Sequence, residues 1–264
     1  MKETHAEHLG LRFGPGEDYS GPEHFLGSTH GVFKAAYDFL IFTDSRGMAC
    51  NSGKIEPWAL RIAKYLEQSG YSVLLVCRPK VLTVFVTLIN FLRANGVKYT
   101  YLVTNLGFVD FTPKKHVYME DISAQFPEEL RRKQLPIVEF PPFVLSSGES
   151  ENLYAYDFGP ASEWVTHSLE SFFCSGLLIH AFEASAEEKW PRLRPRGFYE
   201  QIVSTNRWLE NMSVRAPRFG AVCPLSDLHA GNQTRLTYDA VHLTRMGHEC
   251  MFAALRDALA NKYE

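Results

Sequence analysis

Apolar residues dominate Tyr37-Asp38-Phe39-Leu40-Ile41-Phe42, and the run stops at the polar stretch Thr43-Asp44-Ser45-Arg46-Gly47. That is the profile of a buried strand ending in a turn. From Pro57 to Ser69 the period changes. Leu60, Ala63 and Leu66 share one helical face, Pro57 suits a first turn, and Gly70 closes the segment. Tyr71–Cys77 predicts a second strand, and Leu82–Asn95 a second helix ended by Gly96. Tyr99–Thr104 predicts a third strand, running out at Asn105-Leu106-Gly107. Strand, helix, strand, helix, strand predicts an α/β fold in which helices cover a mainly parallel sheet. Ligands of such sheets sit at the carboxyl ends of the strands, so the ends at residues 43–47 and 105–107 are the first places to look for chemistry.

Elsewhere the pattern is less regular. Residues 1–35 carry Gly14-Pro15-Gly16 and Gly21-Pro22 without periodicity, and predict an irregular arm. The arm lacks the spacing of a phosphate-binding glycine loop. Residues 111–195 predict an insertion or pocket wall, with a turn at Ser146-Ser147-Gly148 and helices over Ala161–Ala184. Phe198–Met212 predicts a helix, Phe219–Leu225 a strand and His229–Tyr238 a polar loop. Arg245–Lys262 predicts a final helix that buries Met246, Cys250, Ala254, Leu255, Ala258 and Leu259.

The chain has 264 residues, 45% of them apolar and 22% charged. One domain of that size builds its core without disulfides or structural metals. Its formal net charge of -3 lacks the basic excess of a nucleic-acid binder. Cys50, Cys77, Cys174, Cys223 and Cys250 are scattered and form no C-x-x-C pair, so reduced thiols and a cytoplasmic location are expected. The N-terminus has no apolar core of a secretory signal, and the apolar stretch Val81–Leu92 is too short to span a bilayer. No His/Cys/carboxylate set has metal-ligand spacing, and no cofactor is expected. Aromatics reach 13%, with Phe111, Phe140, Phe143, Tyr154, Tyr156, Phe158, Trp164, Phe172 and Phe173 crowded into the middle segment. They predict an apolar, partly covered cleft.

A serine on a tight turn after the first strand exposes its hydroxyl beside backbone N–H groups, which suits Ser45 to nucleophilic attack. Asp44 and Ser45 would equally serve as turn or cap residues. Near the other end, Asp239-Ala240-Val241-His242 precedes the final helix. That spacing lets the carboxylate fold back onto the imidazole Nδ1 and leaves Nε2 free, although a loop pair or helix cap would use the same residues. Lys114-Lys115-His116 and the alternating Arg192, Arg194 and Arg196 are solvated cations or contacts for an anionic group, such as that of an acyl carrier. His167, His180 and His248 are expected to be structural.

Order and placement resemble the SGNH (GDSL-type) hydrolases. Phe42-Thr43-Asp44-Ser45 resembles the first block, in which Gly-Asp-Ser follows the first strand. Leu106-Gly107-Phe108-Val109-Asp110 resembles the third block, Gly-x-Asn-Asp. Asp239-x-x-His242 resembles the last block. Residues 107–114 match a Gly-x-Val-Asp-x-x-Pro-Arg/Lys variant found in divergent members, where a polar residue, here Asn105, stands two before the glycine. The resemblance implies a three-layer α/β/α sandwich with a flavodoxin-like sheet. It also implies a Ser45 nucleophile, a His242 base oriented by Asp239, and an acyl-enzyme. Three positions depart from the pattern. Thr43 replaces the first-block glycine. Val109 replaces the oxyanion-donating asparagine and cannot donate. Cys77-Arg78-Pro79-Lys80 stands where the second-block glycine is expected. Asn105 and Arg78 are the candidate substitutes, with Gly107 and Asp110 lining the same site. Losing one such donor removes roughly 3–4 kcal/mol of transition-state stabilisation. The implied function is hydrolysis of a carboxylic ester on a small molecule or glycan. The alternatives are acyl transfer through the same acyl-enzyme, and a non-catalytic ligand-binding protein.

Overall fold

The computed structural model describes residues 12–13, 25–27, 35–48, 55–77, 81–124, 126, 128–144, 150–157, 159–184, 190, 194, 196–225 and 236–263. Its elements run β1 Arg12–Phe13, β2 Phe25–Gly27, β3 Ala36–Thr43, α1 Trp58–Gln68, β4 Val73–Cys77, α2 Val81–Ala94 and β5 Lys98–Thr104. Three short helices follow, α3 Phe108–Phe111, α4 His116–Ala124 and α5 Glu128–Arg132, and then β6 Ile137–Val144 and β7 Ser150–Tyr156. The chain closes with α6 Ser162–Phe172, β8 Ser175–Ile179, α7 Arg196–Arg215, β9 Phe219–Val222 and α8 Arg245–Tyr263.

Seven strands form one sheet in the order β1-β2-β4-β3-β5-β8-β9. The five from β4 to β9 are parallel, in the order 2-1-3-4-5 of flavodoxin-like sheets. Alternation along the central strands separates two cores. Phe39 and Ile41 of β3, with Tyr101 and Val103 of β5, enter a cluster with α1 and α8. Leu40, Phe42 and Leu102 enter a second cluster with α2 and α6. α7 spans both, through Phe198 and Ile202 at one end and Trp208 and Met212 at the other. The result is helix, sheet, helix: the expected three-layer α/β architecture.

Three expectations need correction. Met246 of α8, expected to be buried, is exposed. The arm of residues 1–35 is not wholly irregular: its described residues supply β1 and β2, and β2 runs antiparallel to β4. The expected helices over Ala161–Ala184 end at Phe172, and the rest contains β8. Gly176-Leu177-Leu178-Ile179 reads as readily in a helix as in a strand, and only the sheet decides. Middle-segment strands β6 and β7 form a two-stranded hairpin whose register shifts between Phe140 and Phe143, across Pro141-Pro142. The Ser146-Ser147-Gly148 turn lies outside the described residues. No described helix is long and apolar enough to cross a membrane.

Gly176 explains why β8 fits between β5 and β9. A Cβ there would lie 2.7 Å from the Phe219 ring and 2.9 Å from the Leu102 carbonyl oxygen. Gly176→Ala is therefore expected to destabilise the fold by about 1–3 kcal/mol, as overpacked cores do. Urea denaturation reads the change, and unaltered stability would contradict this close approach.

Candidate active site

β3 and β5 are neighbours with Phe42 opposite Thr104, so the turns after them meet at one edge of the sheet. After β3 the chain makes a single 3-10 turn over Ser45–Gly47, capped by the Asp44 carboxylate, which accepts from the Arg46 backbone N–H at 2.8 Å. Asp44 is fully buried and bonded on every side. Its N–H donates to Asn105 Oδ1 at 3.0 Å, and Asn105 Nδ2 donates back to Oδ1 at 3.1 Å. The Arg46 Nε reaches both carboxylate oxygens at 3.0 and 2.9 Å. The Asp44 carbonyl accepts from Thr43 Oγ1, Cys77 Sγ and the Gly47 N–H. Arg46 is equally confined: it donates to the Asn105 carbonyl at 2.6 Å and lies over the Phe108 ring at 4.3 Å. Its own carbonyl accepts from Trp58 Nε1 of α1 at 2.8 Å.

Thr43 packs directly against Gly47. A Cβ on Gly47 would fall 2.0 Å from Thr43 Oγ1. The threonine therefore fills the space a side chain at residue 47 would need.

Ser45 is the half-buried residue of this turn, and its Oγ lies 3.2 Å from His242 Nε2, a residue 197 positions away. His242 comes from a tight loop between Leu236 and Thr244, closed by a Thr237–Leu243 bridge and a Thr244 N–H to Leu236 carbonyl bond. Ala240 turns the loop with φ of 68°, a conformation that non-glycine residues rarely adopt. The turn directs the Val241 and His242 N–H groups onto Asp239 Oδ1 at 3.1 and 2.8 Å. His242 Nδ1 lies 3.1 and 3.0 Å from the two Asp239 oxygens. A carboxylate only accepts, so Nδ1 carries the hydrogen and the Nε2 lone pair faces Ser45. Burial alone would raise the Asp239 carboxyl. The side-chain and backbone hydrogen bonds from His242, with the charges of His242 and Arg194, outweigh it and hold the group at about 2. Tyr238 stacks on the imidazole, its ring centroid 5.7 Å away and 18° from parallel.

The remaining candidates fall into place differently. Asn105 is buried beneath the turn, where it braces Asp44. Gly107, with φ of 99°, opens α3, and Asp110 is buried in that helix. Arg78 lies outside the described residues. Lys114 is no solvated cation: its ammonium donates to the carbonyls of Val109 and Thr112 and caps α3. Lys115 pairs with Glu151. His116 and His167 are exposed, and His180 is buried after β8. His248 is buried under the Trp58 N–H, which donates to its Nδ1 at 3.3 Å. Sequence reasoning gave Arg46 no role and read Arg194 as a solvated cation or a contact for an anionic group. The Arg194 guanidinium bonds the Asp239 carboxylate at 2.8 Å. Its signal was the unusual Arg-Pro alternation, which says nothing of its partner.

Among the described side chains, Phe140, Phe143, Tyr156 and Phe173 pack into the cores and the hairpin and not into the expected cleft, and Phe158 lies outside the described residues. Phe173 stacks with Phe85 and meets Tyr99, Tyr156 meets Phe126, and Phe140 and Phe143 pack with Leu153 and Ala155. A small apolar pocket beside the Ser45 turn is lined instead by Gly47, Met48, Pro57, Ala59, Leu60, Leu75 and Cys77. Among the described residues no group of His, Cys, Asp and Glu could hold a metal ion.

No protein-family model matches the chain, and no curated protein does. Some solved structures are similar in backbone. One is TesA, with 14% identity over 84% of this chain and 97% of that one, at a TM-score of 0.48. Another is a variant of Axe2, an acetyl xylan esterase from Geobacillus stearothermophilus, with 10% identity over 84% and 93%, at 0.48. A third is the C-terminal catalytic domain of peptidoglycan O-acetyltransferase A from Streptococcus pneumoniae, with 10% identity over 86% and 94%, at 0.43. Neither these identities nor this backbone agreement assigns an activity to the chain.

Two outcomes follow from the turn. Arg46→Met leaves the Asp44 carboxylate buried without its cation, and is expected to lower stability by about 3–5 kcal/mol in urea denaturation. Near-native stability of this variant would contradict the role given to the pair. Gly47→Ala is expected to be strongly destabilising alone and less so in a Thr43→Gly background. Additive effects in that double-mutant cycle would show that the two side chains do not compete for the same space.

Proposed function

We propose that the chain is a serine-dependent acyl hydrolase of the SGNH type acting on carboxylic esters, with Ser45 as nucleophile, His242 as base and Asp239 as its orienting partner. One observation carries this reading: the unbroken line from Asp239 through His242 Nδ1 and Nε2 to Ser45 Oγ, each step at hydrogen-bond distance.

In the first half-reaction Ser45 Oγ bonds to the ester carbonyl carbon while its proton passes to His242 Nε2. The tetrahedral intermediate collapses, the carbon–oxygen bond to the alcohol breaks, and the imidazolium gives its proton to the departing alkoxide. Water repeats the sequence in the second half, His242 taking its proton, and releases the acid and free Ser45. Asp239 stays ionised throughout and stabilises the imidazolium. The oxyanion is taken by the Ser45 N–H and by an Asn105 Nδ2 hydrogen, the other amide hydrogen bracing Asp44. With Val109 unable to donate, this hole is poorer than the family's, which favours activated or otherwise reactive esters. The apolar lining contributed by Gly47 and Met48, two and three residues after Ser45, suits a non-polar acyl group. An alcohol in place of water would turn the same acyl-enzyme to transfer.

A serine-directed fluorophosphonate should label the wild type, and labelling should be lost in Ser45→Ala and reduced at least a hundredfold in rate in His242→Ala, as for a base-activated nucleophile. Equal labelling of wild type and Ser45→Ala would remove Ser45 as the nucleophile.

A further inference from the structure

Asp239 has a second cationic partner besides the imidazole. Arg194, from the segment before α7, donates through one terminal nitrogen to Asp239 Oδ2 at 2.8 Å, and through that nitrogen and Nε to the Asp239 carbonyl at 3.3 Å. The guanidinium is mostly buried, with 13% of its side chain exposed, and is supported on the Phe198 ring at 4.9 Å. It therefore grips both the backbone and the carboxylate of the residue that holds His242.

We propose that Arg194 is a positioning residue that fixes the Asp239 carboxylate and offsets its charge, thereby setting how basic His242 is. The inference rests on the roles given above to Ser45, His242 and Asp239. An Asp239 carboxylate alone would strongly favour the imidazolium. Paired with Arg194, part of that charge is offset, so the carboxylate holds the imidazole chiefly by position and hydrogen bond. The fork also occupies Oδ2 and steadies the carboxylate against rotation, which keeps it available to Nδ1.

Among the described residues, the other groups near His242 do not provide this offset. Tyr238 stacks on the ring as a neutral phenol, and Ser45 is uncharged. Arg46 is neutralised by Asp44 beneath the turn. His248 on α8 is uncharged over the working range, because burial, with the charge of Arg61, brings it down to about 4. Arg194 supplies the cation that bears directly on the Asp239–His242 pair.

The test is an NMR titration of the His242 imidazole in wild type, Arg194→Gln, Arg194→Met and Arg194→Lys, with the signal assigned by its loss in His242→Ala. Either neutral variant is expected to move the His242 midpoint up by about one pH unit, while Arg194→Lys stays near the wild type. The acid limb of kcat/KM on p-nitrophenyl acetate should shift in the same direction and by the same amount. A purely structural arginine would lower activity without moving either midpoint. An unmoved midpoint in a folded neutral variant overturns the inference, as does an equal shift in the lysine variant. If the midpoint moves but turnover survives Ser45→Ala, the hydrolase assignment falls and the electrostatic role of Arg194 stands.

Discussion

The Asp44–Arg46 ion pair is the constraint on which the site is built. Both residues are buried, and removing two charges from water is unfavourable unless nearly every lone pair and proton is matched. Here they are matched by neighbours from separate elements: Asn105 after β5, Cys77 at the end of β4, and Trp58 at the start of α1. The pair thus binds the ends of three parallel strands and a helix into one unit, and Ser45 stands between its two members in sequence. Sheet register, the flanking glycine and the α1 entry all converge on the position of one hydroxyl.

The histidine side is built on a different principle. No strand delivers His242. A short loop does, closed by its own backbone bonds and turned through a left-handed Ala240. Such a conformation is unfavourable for alanine, and it persists because Asp239 collects two N–H groups, the imidazole and the Arg194 fork at once. The rigidity of the Ser45 turn comes from burial, and that of the histidine loop from hydrogen bonds around one carboxylate. The two meet only across the 3.2 Å contact between Ser45 and His242.

Much of this was legible in the sequence where the information is local. The apolar runs of β3, β4 and β5, the helices between them and the turn residues after them follow from periodicity and from Gly70 and Gly96. Asp239 and His242 were legible because three residues of spacing is enough for a carboxylate to fold back on a ring. What escaped depends on distant partners. β8 is a strand because Leu102 and Phe219 flank Gly176, which no window around residue 176 contains. Arg46 resembles any polar turn residue until Asp44 and Asn105 surround it. The Val109 carbonyl accepts from Lys114, a contact visible only once α3 is formed. The aromatic weight of the middle segment was real but went into cores, because large rings bury most area against the helices and hairpin that carry them.

The most direct test of the account is peptide mass spectrometry on protein mixed with p-nitrophenyl acetate and quenched in acid during the first turnovers. The account predicts one added acetyl group on the peptide containing Ser45, absent when Ser45 is replaced by alanine. Turnover of the ester with no acetyl on that serine, or with the group on Cys77 or another side chain, would contradict it.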